Sequence, residues 1–110
     1  MQQLKPQDLQ HWLADPARAK PLLLDVREPW EFQYCHLPNA VLMPMNGIPG
    51  KLDQLDQLDQ LAPIVVICHH GMRSMQVGRF LEHNGFAHIY NLQGGVDAWA
   101  ASVDPDMPTY

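Results

Sequence analysis

At 110 residues the chain has the length of one domain, enough to bury a core without disulfides or metals. With 46% hydrophobic and 17% charged residues it is globular rather than disordered, and a net charge of −5 argues against nucleic acid, whose phosphates need a basic surface. Two cysteines make no disulfide framework, no apolar run is long enough to span a bilayer, and Met1-Gln2-Gln3-Leu4-Lys5 leads into a polar segment rather than a signal-peptide core; the expectation is a reducing cytoplasm and no membrane partner.

Pro6 to Ala14 reads as a first helix: proline suits the first turn, and Leu9, Trp12 and Leu13 share one face, with Trp12 in the core. Asp15-Pro16 breaks it, and Ala17 to Lys20 form a loop. Leu22, Leu23, Leu24 and Val26 make a buried strand, too short for a helix between Pro21 and Pro29. Asp25 and Arg27, at its end, either border a pocket or pair to hold the following turn. Glu28 to Tyr34 reads as a short helix with Trp30 and Phe32 divided between rim and core, and His36 as a hydrogen-bonded structural histidine. Val41 to Met43 is a short strand, and Pro44, Gly47, Pro49 and Gly50 punctuate a loop.

The tripeptide Leu52-Asp53-Gln54 then occurs three times, closed by Leu61. Steps of three advance about 300° on a helix, so Leu52, Leu55, Leu58 and Leu61 cover a broad half of the cylinder. This predicts an amphipathic core-packing helix with an acidic outer face, ended by Pro63. Ile64 to Ile67 are four β-branched apolar residues, the pattern of a strand covered on both faces in a parallel sheet. Met72 to Asn84 is a helix with Val77, Gly78 and Leu81 on one side, Gly78 allowing close approach to the sheet and Asn84-Gly85 ending it. Ile89, Tyr90 and Leu92 form the last strand, Gly94-Gly95 turns into a final helix carrying Val96 and Trp99, and Pro105 and Pro108 mark a loose tail. Strands alternating with helices imply an α/β fold: a parallel sheet with helices on both faces.

The residues with chemical potential follow the Ile64–Ile67 strand. Cys68 stands at its carboxyl end, then Gly71, Arg73 and a helix start. Ligands of open α/β sheets bind outside the carboxyl ends of strands, against helix N-termini. The first helical N–H groups lack intrahelical acceptors and, with the dipole, favour a thiolate over a thiol. Arg73 adds a fixed positive charge, and Gly71 permits a loop that turns amides inward as an anion nest. Cys68, His69 and His70 are all metal-ligand types, but three adjacent residues rarely converge on one ion, so no metal is expected.

Cys68-His69-His70-Gly71-Met72-Arg73-Ser74 resembles the active-site loop of the rhodanese domain, of the type Cys-x-x-Gly-x-Arg-Ser. Leu24-Asp25-Val26-Arg27-Glu28, Glu31-Phe32 and His36-Leu37-Pro38-Asn39-Ala40 are similar to that family's N-terminal signature. Leu92-Gln93-Gly94-Gly95-Val96-Asp97-Ala98-Trp99 is similar to its C-terminal one. The resemblance implies one rhodanese domain over residues 1–110: a three-layer sandwich with five parallel strands and the cysteine loop at the carboxyl edge. It also implies that Asp25, Arg27 and Ser74 support the loops. Two positions depart from the family, Cys35 where glycine is usual and Asn39 where it is frequent. Cys35 is either a resolving thiol or a packed substitute for glycine.

The expected chemistry is sulfur transfer without a cofactor. Cys68 attacks the outer sulfur of a donor such as thiosulfate, sulfite leaves, and a persulfide passes its sulfur to a thiol or cyanide. Donor and acceptor identities come from the family resemblance, and a protein can fill either role. The loop residues His69, His70, Gly71, Met72 and Arg73 are the expected substrate contacts, amides around the persulfide and Arg73 toward the donor's oxyanion. A cysteine-dependent phosphatase or arsenate reductase is a weaker reading. Such phosphatases place five residues between cysteine and arginine, whereas Cys68 and Arg73 have four between them, and no aspartate is clearly placed as a general acid. A non-catalytic interaction module on the same fold is argued against by the intact Cys68, Gly71 and Arg73.

Overall fold

A computed structural model describes residues 1–56 and 62–110. Five strands, β1 (Gln2–Leu4), β2 (Leu22–Asp25), β3 (Val41–Leu42), β4 (Ile64–Ile67) and β5 (Ile89–Leu92), form one sheet in the order β1-β5-β4-β2-β3. Every pairing is parallel. The helices are α1 (Pro6–Ala14), α2 (Pro29–Tyr34), α3 (Leu52–Asp56), α4 (Met72–His83) and α5 (Gly95–Ser102).

The side-chain alternation of the central strands builds two cores. Leu23, Val65, Ile67 and Leu92 face one side and pack with Leu9 and Trp12 of α1 and Val96, Trp99 and Ala100 of α5. Leu24, Ile64, Val66 and Ile89 face the other, against Leu55 of α3 and Val77 and Leu81 of α4. All four residues of β4 are buried, because helices cover both faces. Cys68 continues the Ile64–Val66 parity and belongs to the α4 side. The fold is the α/β layer arrangement expected, with the strand ends carrying Asp25 and Ile67 side by side in register.

Several boundaries and roles differ from the sequence reading. β1 was not anticipated: it is a polar edge strand that pairs, among the described residues, with β5 alone, so its order comes from backbone pairing rather than from an apolar pattern. β2 ends at Asp25, with Val26 just beyond, and α2 begins at Pro29 because Glu28 is its N-cap, in a reciprocal capping box with Glu31. Trp30 is exposed and Phe32 half-buried against His36, so neither reaches the core; the buried residue of α2 is Glu31. β3 stops at Leu42, and the 44–50 loop contains two short 3-10 turns. α4 ends at His83, with Asn84 as its cap. The leucine repeat is helical over Leu52–Asp56, with Leu55 buried, and Leu58 and Leu61 lie outside the described residues. The tail is docked, not loose: Met107 is buried in the α1–α5 core and Tyr110 is bonded to Arg27 and Glu31.

Candidate active site

Cys68 leaves β4 just before a left-handed turn. Gly71 has φ +100°, a conformation that side chains resist, and an added Cβ would stand 3.3 Å from the Gly94 amide nitrogen. This turn sets the Gly71 N–H as a donor to Cys68 Sγ at 3.0 Å, and α4 starts immediately afterwards. Ser74, in the first turn of α4, places its Oγ 3.3 Å from the same sulfur. Cys68 is 1% exposed, so its sulfur sits at the base of the loop with two polar neighbours and an apolar floor.

Asn91 organises these groups from β5. Its Oδ1 accepts the Ser74 hydroxyl, and its Nδ2 donates to the Gly71 carbonyl at 3.2 Å and to Gln3 Oε1 at 2.9 Å. A hydroxyl carries one proton, so with that proton on Asn91 the neutral Cys68 thiol is the donor toward Ser74 Oγ. α5 holds the loop from the other side. Its Val96 and Asp97 amides donate to the Cys68 and His69 carbonyls at 2.9 and 3.1 Å. Those amides have no partner within their own helix, so the loop carbonyls cap it. Gly95 makes the approach feasible, since a Cβ there would lie 2.4 Å from both carbonyl oxygens.

Two arginine–carboxylate pairs brace the surroundings. Arg27 and Asp25 are both fully buried and joined by Nη2–Oδ2 at 2.7 Å and by Nε contacts at 2.9 and 3.1 Å. Arg27 Nη2 also donates to the Cys35 carbonyl at 2.6 Å. Burial works against the Arg27 charge, but Asp25 and Tyr110 outweigh it and raise its pKa. Of the two alternatives given to Asp25 and Arg27, bordering a pocket or pairing to hold the following turn, these contacts describe the pairing. Arg73 closes the Cys68 loop with a two-point pair to Glu31, at 2.7 and 2.9 Å. The Arg73 hydrogen bonds hold the Glu31 carboxyl down at about 2, against the burial that opposes ionisation. The guanidinium is therefore engaged with a carboxylate, where the sequence suggested contact with a donor anion.

His69 is half-buried and stacks on Tyr110 with ring centroids 4.0 Å apart; burial, reinforced by the charge of His70, pushes its imidazole below the usual value. His70 is exposed and lies 3.8 Å from Asp97, and Met72 is exposed at the helix start. Sequence reasoning assigned no role to Glu31, Asn91 or Tyr110. A polar residue inside β5, between the apolar Ile89 and Leu92, was the available signal for Asn91.

A model of the rhodanese-like domain matches residues 6–102 of the chain. The protein belongs to the rhodanese-like domain family. It is 34% identical over 77 residues to thiosulfate sulfurtransferase GlpE of Vibrio cholerae, the match covering 70% of each chain. It is 37% identical over 95 residues to rhodanese-like/PpiC domain-containing protein 12, chloroplastic, of Arabidopsis thaliana, covering 80% of this chain but only 30% of that protein's length. Among solved structures, a rhodanese-like domain protein from Staphylococcus aureus superposes with a TM-score of 0.79 at 29% identity, covering 100% of this chain and 99% of that one.

Both departures from the rhodanese pattern have a backbone explanation. Cys35 is extended, with φ −162°, so nothing at that position demands glycine. Asn39 has φ +67°, the left-handed region that asparagine tolerates better than most residues. Cys35 packs in the α1–α5 core and Cys68 in the α4 core, on opposite faces of the sheet, which fits a packed residue and not a resolving thiol.

Proposed function

We propose that this rhodanese domain, acting as a single unit over residues 1–110, moves sulfane sulfur through a persulfide on Cys68. The observation that carries the reading is the Cys68 sulfur held 3.0 Å from the Gly71 N–H at the mouth of α4. The GlpE likeness supports it and suggests thiosulfate as donor. In the first step the Cys68 thiolate attacks the outer sulfur of thiosulfate. A new S–S bond forms on Cys68, the donor S–S bond breaks, and sulfite leaves with its electron pair. In the second, a thiolate or cyanide attacks the outer sulfur of the persulfide and returns Cys68 to its thiolate.

The Gly71 amide and the helix start stabilise the anionic sulfur in both half-reactions. Ser74 can turn its proton from Asn91 to Cys68 once the thiol ionises, which keeps the buried sulfur hydrogen-bonded. Arg73 contributes by fixing the loop end on Glu31 and by its nearby charge, leaving His69, His70 and Met72 as the groups that meet the donor and acceptor. A reducing compartment such as the cytoplasm suits a chain whose two cysteines are both free thiols.

The test is thiocyanate formation from thiosulfate and cyanide. The protein is expected to turn over, Cys68→Ala to be inactive, and an aryl phosphate to remain unhydrolysed. Phosphate hydrolysis that depends on Cys68, without sulfur transfer, would overturn the reading; neither activity in a folded, reduced protein would point to an interaction module.

A further inference from the structure

We propose that Tyr110 is a positioning residue for the Cys68 loop, which it grips at both ends; the proposal rests on the sulfur-transfer reading above. At the first end, the Tyr110 ring lies on the His69 imidazole, with centroids 4.0 Å apart and planes 15° from parallel. At the second, the Tyr110 hydroxyl donates to Glu31 Oε2 at 2.6 Å, and that same oxygen accepts Arg73 Nη2 at 2.9 Å. The hydroxyl in turn accepts Arg27 Nη1 at 2.8 Å. One side chain thus ties the residue after Cys68 directly, the arginine closing the loop through Glu31, and the buried Asp25–Arg27 pair behind them.

The tail is anchored well enough to hold such a group. Met107 is buried in the α1–α5 core, and the Tyr34 hydroxyl donates to the Thr109 carbonyl at 3.1 Å. Trp30 and Tyr34 meet the Tyr110 ring edge-on, at 5.5 and 5.7 Å. Burial and the bond to Glu31 raise the phenol to about 12, so it keeps its donor proton throughout the neutral range. The hydroxyl is then a fixed bridge between a cation and a carboxylate. A tail that merely covered apolar surface would need no hydroxyl there.

The variants Tyr110→Phe, which keeps the ring and removes the bridge, and Tyr110→Ala, which removes both, separate these roles; Tyr34→Phe loosens one of the two anchors of the tail and leaves Tyr110 itself in place. Two quantities are read well below the melting temperature: kcat and KM with thiosulfate, and the rate of Cys68 alkylation by iodoacetamide, mapped by mass. Loss of loop geometry costs rate more than substrate affinity, so kcat is expected to fall about three- to tenfold in Tyr110→Phe and further in Tyr110→Ala, with KM within about twofold. Alkylation should rise as kcat falls, because a looser loop uncovers a sulfur that is 1% exposed in the parent. Tyr34→Phe should fall between the parent and Tyr110→Phe in both, since Met107 still holds the tail in the α1–α5 core. Parent-like kcat and alkylation in both Tyr110 variants would overturn the proposal, as would a higher kcat, which would make the tail an obstruction. A parent unable to transfer sulfur refutes the sulfur-transfer reading instead; the alkylation rates then decide the role of Tyr110, unchanged rates in the variants refuting it and raised rates supporting it.

Discussion

Cys35 and Cys68 are buried to nearly the same degree, at 7% and 1% exposure, and the structure gives them opposite characters. Cys35 belongs to the same apolar core as Leu37, Ile67, Val96 and Trp99, and its sulfur meets Arg27 Nη1 at a long 3.9 Å. Cys68 has the Gly71 amide, the Ser74 hydroxyl and a helix start around its sulfur. Burial alone does not make a thiol inert or nucleophilic; on the sulfur-transfer reading, the close amide and hydroxyl set Cys68 apart from Cys35.

The strongest way to break the contrast is to remove the support behind Cys35. Arg27→Ala leaves Asp25 as an unpaired buried carboxylate and frees the Cys35 carbonyl, and should destabilise the domain by about 3–5 kcal/mol in chemical denaturation. Acid acts next, on the Cys68 side. Glu31 titrates at about 2 in the folded chain against an ordinary 4.5, so its pair with Arg73 stabilises the fold at neutral pH. That contribution, on the order of a few kcal/mol, is lost as pH falls from about 4.5 toward 2, and Glu31→Gln should flatten this part of the stability–pH curve.

Gly95→Ala sharpens the comparison further, because it acts on the backbone of Cys68 and His69 and not on that of Cys35. The new methyl would strike the Cys68 and His69 carbonyls, so a stability loss of about 1–3 kcal/mol should come with a large loss of sulfur transfer. Cys35→Ala should have the smallest effect: a loss of about 1 kcal/mol from the core and sulfur transfer close to the parent's.

What the sequence revealed follows the same division. Apolar runs bounded by proline or glycine located β2, β4 and β5, and a cysteine followed by Gly71, Arg73 and a helix located the loop, because these are local signals. β1 escaped because Gln2 and Gln3 are exposed and carry no apolar alternation; only their pairing with β5 makes a strand. Asn91, Glu31 and Tyr110 act on the loop from 17 or more residues away, through contacts that no local pattern encodes. Arg73 reads in the sequence as a charge directed at a donor anion, while its engagement with Glu31 depends on α2 lying against α4's first turn, a tertiary fact. Trp30 and Phe32 show the converse error: the sequence divides them between rim and core, while neither reaches the core and α2 buries Glu31 instead.

The most direct test of the account is the intact mass of the protein after incubation with thiosulfate, followed by peptide mapping. The account predicts a gain of one sulfur atom, roughly 32 Da, located on Cys68, removed by a thiol reductant and absent from Cys68→Ala. A gain located on Cys35, or no gain in a folded protein with reduced cysteines, would contradict it.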